Sequence, residues 1–189
     1  SEVIIKNAKE LKADIIVVGT KGGNRMLELF LGSTTIALIN TAPCPVLAVP
    51  DDSDFHGIKK IVYATDFDGI DIFTIQKMVQ LAKPFDANIH LIHVSTKETD
   101  TGEDQMEWFK NMLRHKVGYE NISFDLRYGE DIFETLQKYI GEIEPDMVAM
   151  LEREGHSLIK SLTHRDLVKR MKSEGHVPLL SYHKKNVGS

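Results

Sequence analysis

The chain has 189 residues, 42% hydrophobic and 27% charged, an ordinary balance for a globular protein and enough length for one large or two small domains. Its formal charge of -5 argues against a nucleic-acid-binding surface, and no apolar run approaches the ~18 residues that span a bilayer, so neither nucleic acid nor membrane is an expected partner. The single cysteine, Cys44, cannot form an internal disulfide, and with no signal-peptide pattern at Ser1 a cytoplasmic location is the expectation.

Hydrophobic periodicity predicts a helix over Val3 to Leu11, a strand over Ile15 to Val18, a helix from about Ser33 to Asn40 and a strand over Val46 to Val49. The polar stretch Asp51-Asp52-Ser53-Asp54, followed by Gly57, reads as a linker over 51–58. A second series follows. It has strand Lys60 to Thr65, helix Ile70 to Lys83, strand Asn88 to Val94, helix Glu103 to Val117, strand Ile122 to Arg127 and helix Asp131 to Ile143. Strand Met147 to Leu151, a helix around Leu158 to Lys172 and strand Val177 to Ser181 complete it, with 184–189 as a tail. Strand and helix alternating in this way predict an α/β protein with a parallel sheet covered on both faces.

The segment with the most chemistry is Gly19-Thr20-Lys21-Gly22, directly after the apolar run Ile15-Ile16-Val17-Val18, with Gly32-Ser33-Thr34 downstream. Glycines at a strand end let backbone N–H groups approach an anion, and Ser33 and Thr34 add hydroxyls where the next helix begins. Two glycines alone commonly just end a strand or cap a helix. The full spacing Gly-x2-Gly-x9-Gly-Ser is far more specific.

That spacing resembles the nucleotide loop of the universal stress protein family. The matching text runs from Ala13-Asp14-Ile15-Ile16-Val17-Val18-Gly19, through Leu31-Gly32-Ser33-Thr34, to Ala42-Pro43-Cys44-Pro45-Val46-Leu47-Ala48-Val49-Pro50. The resemblance implies a Rossmann-like fold of the adenine nucleotide alpha hydrolase-like type. It also implies that residues 1–50 are the C-terminal part of a first domain whose other strands lie ahead of Ser1. Gly19, Gly22 and Gly32 would then give close backbone approach, Ser33 and Thr34 would hold phosphate oxygens, and the ligand would be ATP or AMP, with magnesium accompanying ATP.

An internal repeat supports a tandem arrangement. Ala13-Asp14-Ile15-Ile16-Val17-Val18 overlays Pro145-Asp146-Met147-Val148-Ala149-Met150, and Ala42-Pro43-Cys44-Pro45-Val46-Leu47 overlays Gly175-His176-Val177-Pro178-Leu179-Leu180. In this overlay Gly19, Gly22 and Gly32 become approximately Leu151, Glu154 and His164, so the phosphate chemistry is gone from the second copy, and Glu154 would repel phosphate. Residues 59–183 are therefore expected to form a complete but nucleotide-degenerate domain. In the resembled family, an acid at the first strand end contacts adenosine and backbone on the second strand contacts adenine. That places remnants of a base pocket at Asp66 and Val94. The alternative for Asp66 and Asp68 is that they cap the helix near Ile70, where negative charge is favoured.

Asp66-Phe67-Asp68-Gly69 after a strand also looks like the nucleophile motif of haloacid-dehalogenase-like phosphatases, in which the first Asp attacks phosphorus beside a magnesium ion. That reading lacks the later lysine and acidic pair it needs, and Asp146 stands nearly alone at the start of its strand. His90 and His93 cannot chelate one ion from a regular strand, because residues three apart face opposite ways. His156, His164, His176 and His183 read as surface residues, Trp108 and Phe109 as packing residues, and Cys44 as a buried thiol. No catalytic or metal-binding residue is assigned. The sequence thus points to an adenine-nucleotide-binding stress-response protein, with a nucleotide-free dimerisation module as the alternative and a phosphatase as a third reading. In tandem members of the resembled family the last strands of the two domains pair, which implies that Val46 to Val49 runs antiparallel to Val177 to Ser181, within one chain or across the two-fold axis of a homodimer. The strand Ile15 to Val18 is expected to lack its inner neighbour.

Overall fold

The structure, a computed structural model, describes residues 1–20, 32–51, 53–96, 102–152 and 177–187. It is a mixed α/β protein whose strands are mostly parallel. By its contacts the chain divides into two units, Ser1–His56 with Met150–Ser189, and Gly57–Ala149.

In the first unit, α1 (Glu2–Glu10) leads into β1 (Ile16–Thr20), α2 (Ser33–Thr41) and β2 (Val46–Pro50). β1 and β2 are parallel, with Ile16 opposite Val46 and Gly19 opposite Val49. The C-terminal strand β7 (Leu179–His183) then pairs antiparallel with β2, setting Val46 against Ser181, Leu47 against Leu180 and Ala48 against Leu179. Of the two arrangements that the resemblance implied, the pairing occurs within one chain. The alternation of Val46 and Ala48 with their neighbours turns buried side chains toward α2, whose Leu38 and Ile39 are buried and which packs on β2 and β7. β7 starts at Leu179, two residues later than expected, and runs to His183. A short helix, α6 (Lys184–Val187), follows in the expected tail and packs on β7 through buried Val187. His183 is buried rather than at the surface: its Nδ1 accepts the Lys185 backbone N–H at 3.2 Å, which closes the turn into α6.

In the second unit, β3 (Lys60–Ala64), α3 (Gly69–Ala82), β4 (Asn88–Ser95), α4 (Gly102–Lys116), β5 (Ile122–Tyr128) and α5 (Ile132–Ile143) precede β6 (Met147–Glu152), whose first half belongs here. β3 and β4 are parallel, as are β4 and β5, and the strand order is β6-β3-β4-β5. Asp146 has a structural role at the start of β6: its carboxylate accepts the backbone N–H groups of Lys59 and Lys60 at 2.7 and 2.9 Å, while its own N–H donates to the Lys60 carbonyl. α5 packs on β3 and β4, where Val62, Ile92, Leu136 and Tyr139 form a buried cluster edged by Ala64, Val94, Ile140 and Ile143. Phe109 of α4 is buried as expected, but its neighbour Trp108 is about half exposed, because adjacent helical positions turn to different faces.

Structure extends the repeat to the helices. Carrying the overlay backwards sets α1 on α5, and both helices run out at a left-handed residue, Lys12 at φ 49° and Glu144 at φ 49°. Neither residue is glycine, so the shared conformation marks a shared helix-to-strand connection.

Candidate functional site

The expected phosphate residues lie on β1 and at the start of α2. Gly19 is inside β1 in extended conformation, paired with Val49, and the strand continues to Thr20. The sharp turn expected at Gly19 therefore does not occur there. Buried Thr20 ends the strand with its Oγ1 3.5 Å from the Val49 carbonyl. Gly22 and Lys21 lie outside the described residues. Gly32 is the N-cap of α2 at φ -56° and ψ 160°, with Ser33 and Thr34 as the first two helical residues, all three exposed.

The start of α2 is unusual in what it lacks. Gly32 has no side chain to accept an N–H, and no acidic residue sits in the first turn. The first intrahelical bond runs from the Ile36 N–H to the Gly32 carbonyl. Helix N-termini present N–H donors and partial positive charge, usually met by a capping carboxylate or hydroxyl. Here Ser33 and Thr34 bring hydroxyls to the same helix start, and among the described residues a Cβ built on Gly32 would meet nothing within 4 Å. The donor set is neutral N–H and O–H, which suits phosphate oxygens. Among the described residues no group of three His, Cys, Asp or Glu side chains is placed to hold a metal ion.

The start of α3 in the second unit is built the opposite way. Asp68 is the N-cap, accepting from the N–H groups of Ile70 (2.8 Å) and Asp71 (3.4 Å), and Asp71 completes a capping box. Asp71 is fully buried. Its carboxylate takes the Tyr63 hydroxyl at 2.6 Å, the Thr65 hydroxyl at 2.8 Å and the backbone N–H groups of Asp66 and Asp68 at 3.1 and 3.3 Å. Thr65 Oγ1 in turn accepts the Phe67 N–H at 2.9 Å, and Phe67 sits in the left-handed region at φ 55°. Its ring packs on His93, centroids 5.0 Å apart, and on Phe109 at 5.3 Å.

Of the two residues assigned to a base pocket, Asp66 is exposed at the end of β3, and Val94 is half-buried on β4. The β3–β4 register pairs Ala64 with Ile92, and continuing it sets Asp66 level with Val94. The capping alternative holds for Asp68 and not for Asp66, whose N–H is turned to Asp71. The same geometry disfavours a phosphatase: the loop N–H groups that would hold a phosphoryl group are engaged by Asp71, and Asp68 is tied to its helix. His90 and His93 are separated as expected, His90 Nδ1 contacting Ser123 Oγ at 3.0 Å and His93 Nδ1 the Thr65 carbonyl at 2.8 Å. Asp71 is the organising residue that sequence reasoning passed over. Its signal was an acid three residues after an N-cap Asp, inside an otherwise apolar helical run.

Comparison with known proteins bears on the same residues. Residues 1–50 match the universal stress protein family. Over 49 residues the chain is 47% identical to a universal stress protein of Thermus aquaticus encoded in a sulfhydrylase 3′ region, a match covering 26% of this chain and 36% of that protein. The crystal structure of a universal stress protein from Archaeoglobus fulgidus superposes with a TM-score of 0.69 at 18% identity, covering 96% of this chain and 64% of that one. A putative universal stress protein from Pseudomonas aeruginosa gives a TM-score of 0.63 at 15% identity, covering 97% of this chain and 68% of that one. The chain thus spans about a third of the Thermus protein and under two thirds of the Archaeoglobus one. The architecture is that of a Rossmann-like α/β protein. Residues 1–50 carry the sequence of the universal stress protein family, and most of the chain shares the fold of solved universal stress proteins.

Proposed function

We propose that the chain binds the phosphates of an adenine nucleotide, ATP or AMP, through its first unit, and takes part in a stress response by binding rather than turnover. The start of α2 carries this reading: Gly32, Ser33 and Thr34 present donors with no side-chain cap and no acidic residue in the first turn, within the segment that matches the family. In this reading Gly19 and Gly22 would give the close backbone approach that the family resemblance implies for them. When bound, the nucleotide brings its own charge, and magnesium where it is ATP. The protein's part is to hold the phosphates by N–H and O–H groups. The second domain, taken as residues 59–183, is the degenerate copy in this reading, because the β3–α3 loop is closed by Asp68 and Asp71. Asp66 and Val94 are then vestiges.

The test is isothermal titration of the 189-residue chain with ATP and AMP, repeated on Gly22→Tyr and on Ser33→Ala with Thr34→Ala. Binding that is lost in the first variant and weakened in the second supports the reading; binding unchanged in both contradicts it. A nucleotide-free pairing module is the second reading, favoured by β1 lying at the end of the strand order, where a homodimer would be built. It predicts a folded chain that takes no nucleotide.

A further inference from the structure

The repeat sets β6 and β7 against β1 and β2, and the strand ends agree: β1 stops at Thr20 and β2 at Pro50, β6 at Glu152 and β7 at His183. In the first copy Val18 is level with Ala48 and Thr20 with Pro50. β6 and β7 are neighbours in the strand order, and the register carried over by the repeat sets Met150 level with Ser181 and Glu152 level with His183. Residues level with each other on neighbouring strands share a face, as do residues two apart on one strand. Glu152, Ser181 and His183 therefore meet on one face, at the places that Thr20, Ala48 and Pro50 hold in the first copy. Three places with a single hydroxyl among them have become a carboxylate, a hydroxyl and an imidazole.

All three are buried, at 5%, 2% and 7% exposure. Among the described residues Glu152 Oε2 and Ser181 Oγ have no hydrogen-bond partner. A buried carboxylate is ordinarily paired with a cation or bound to a metal, and a buried hydroxyl ordinarily finds a partner. No ion pair among the described residues reaches Glu152. His183 does not supply the cation, because it accepts the Lys185 N–H at Nδ1 and so is the neutral ring with its proton on Nε2. That proton also bars Nε2 from ligating a metal, in keeping with the lack of any three-residue metal group among the described residues.

We infer that Glu152, Ser181 and His183 form a binding site for the ammonium group of a small aliphatic amine. A primary ammonium has three N–H donors and no acceptor, and the two Glu152 carboxylate oxygens with Ser181 Oγ are three acceptors. The carboxylate meets the charge, the hydroxyl sets the direction, and the neutral His183 ring lies beside them without competing for the negative charge. Glu152 and Ser181 are so nearly closed off that the group reaching them is slender, an alkylammonium rather than a quaternary or aromatic cation. The site lies on other strands from the residues proposed to bind phosphate and takes the opposite charge.

The experiment titrates the 189-residue chain with n-butylamine at neutral pH and constant ionic strength, without nucleotide, following the glutamate carboxyl carbons and backbone amides by NMR. The Glu152 carboxyl carbon and the Ser181 amide should shift and saturate at millimolar amine. Glu152→Gln keeps the shape and removes the charge, and should weaken binding about tenfold or more, whereas Ser181→Ala should weaken it about fivefold. Tetramethylammonium, a charge without N–H donors, and n-butanol, the same alkyl chain without charge, should produce no saturating shift. An unmoved Glu152 carbon with butylamine overturns the inference, as does an equal shift with tetramethylammonium or unchanged binding in Glu152→Gln. Tighter binding of Nα-acetyl-lysinamide than of butylamine also overturns it, by moving the occupant to a lysine of a protein partner. Should Glu152→Gln fail to fold, Ser181→Ala and the tetramethylammonium comparison on the unaltered chain decide: unchanged binding in the first or an equal shift in the second overturns the site.

Discussion

Two helix N-termini, each following a parallel strand, meet the same electrostatic problem in opposite ways. At α3 the donors and the positive end of the dipole are met by Asp68 and Asp71, carboxylates of the protein itself. At α2 the cap is Gly32 and the first turn carries no acid. A helix start with its own carboxylate has no call for a bound anion, and one without it is poised to take one. The proposal that the first unit binds phosphate rests on this difference.

The largest effect expected from breaking this comparison is at Asp71. Asp71→Ala leaves the Tyr63 and Thr65 hydroxyls and two backbone N–H groups without their acceptor inside the protein, a loss of about 3 kcal/mol or more in chemical denaturation. Asp68→Ala removes only the cap and should cost about 1 kcal/mol by the same measurement. Gly32→Asp sharpens the contrast, since it installs at α2 what α3 already has. The position has open space and an ordinary φ, so the variant should gain a few tenths of a kcal/mol in stability while losing phosphate affinity in titration calorimetry.

Much of this was legible in the sequence. The strand and helix series emerged from periodicity because each element carries its own apolar stripe, whereas the antiparallel pairing of β2 with β7 was legible only through the family resemblance. The boundaries that moved did so for local reasons. β7 begins where its register with β2 does, at Leu179 opposite Ala48, and β1 runs past Val18 because Gly19 and Thr20 keep their register with Val49 and Pro50. Burial of His183 was not legible, since it depends on a helix of four residues with no apolar period. Asp71 was missed because an acid in an apolar run is readable only once its four donors are in place. The fate of Gly22 and of the helix expected around Leu158 to Lys172 lies outside the described residues.

The smallest effects concern titration and thiol access. Burial, ahead of the opposing field of Asp125 and the added repulsion of Lys60, holds His90 below the ordinary histidine value of 6.5. The stability this contributes is full above about pH 6.5 and is lost as pH falls through the lowered folded value, because the unfolded chain takes up the proton first. Melting temperature should therefore decline on acidification below pH 6.5, and His90→Gln should flatten part of that decline. Burial, and then the charge of Asp14, raises the Cys44 thiol above its ordinary value. Alkylation at pH 8 should be slow in the folded protein and fast in denaturant, followed by mass spectrometry.

The most direct test of the central claim is an NMR titration of the 189-residue chain with AMP, following backbone amides at both helix starts. Shifts that saturate at Ser33, Thr34 and Thr35, with Ile70 and Asp71 unmoved, are the predicted result. Shifts centred on Ile70 and Asp71, or none at Ser33 to Thr35 at millimolar nucleotide, would contradict it.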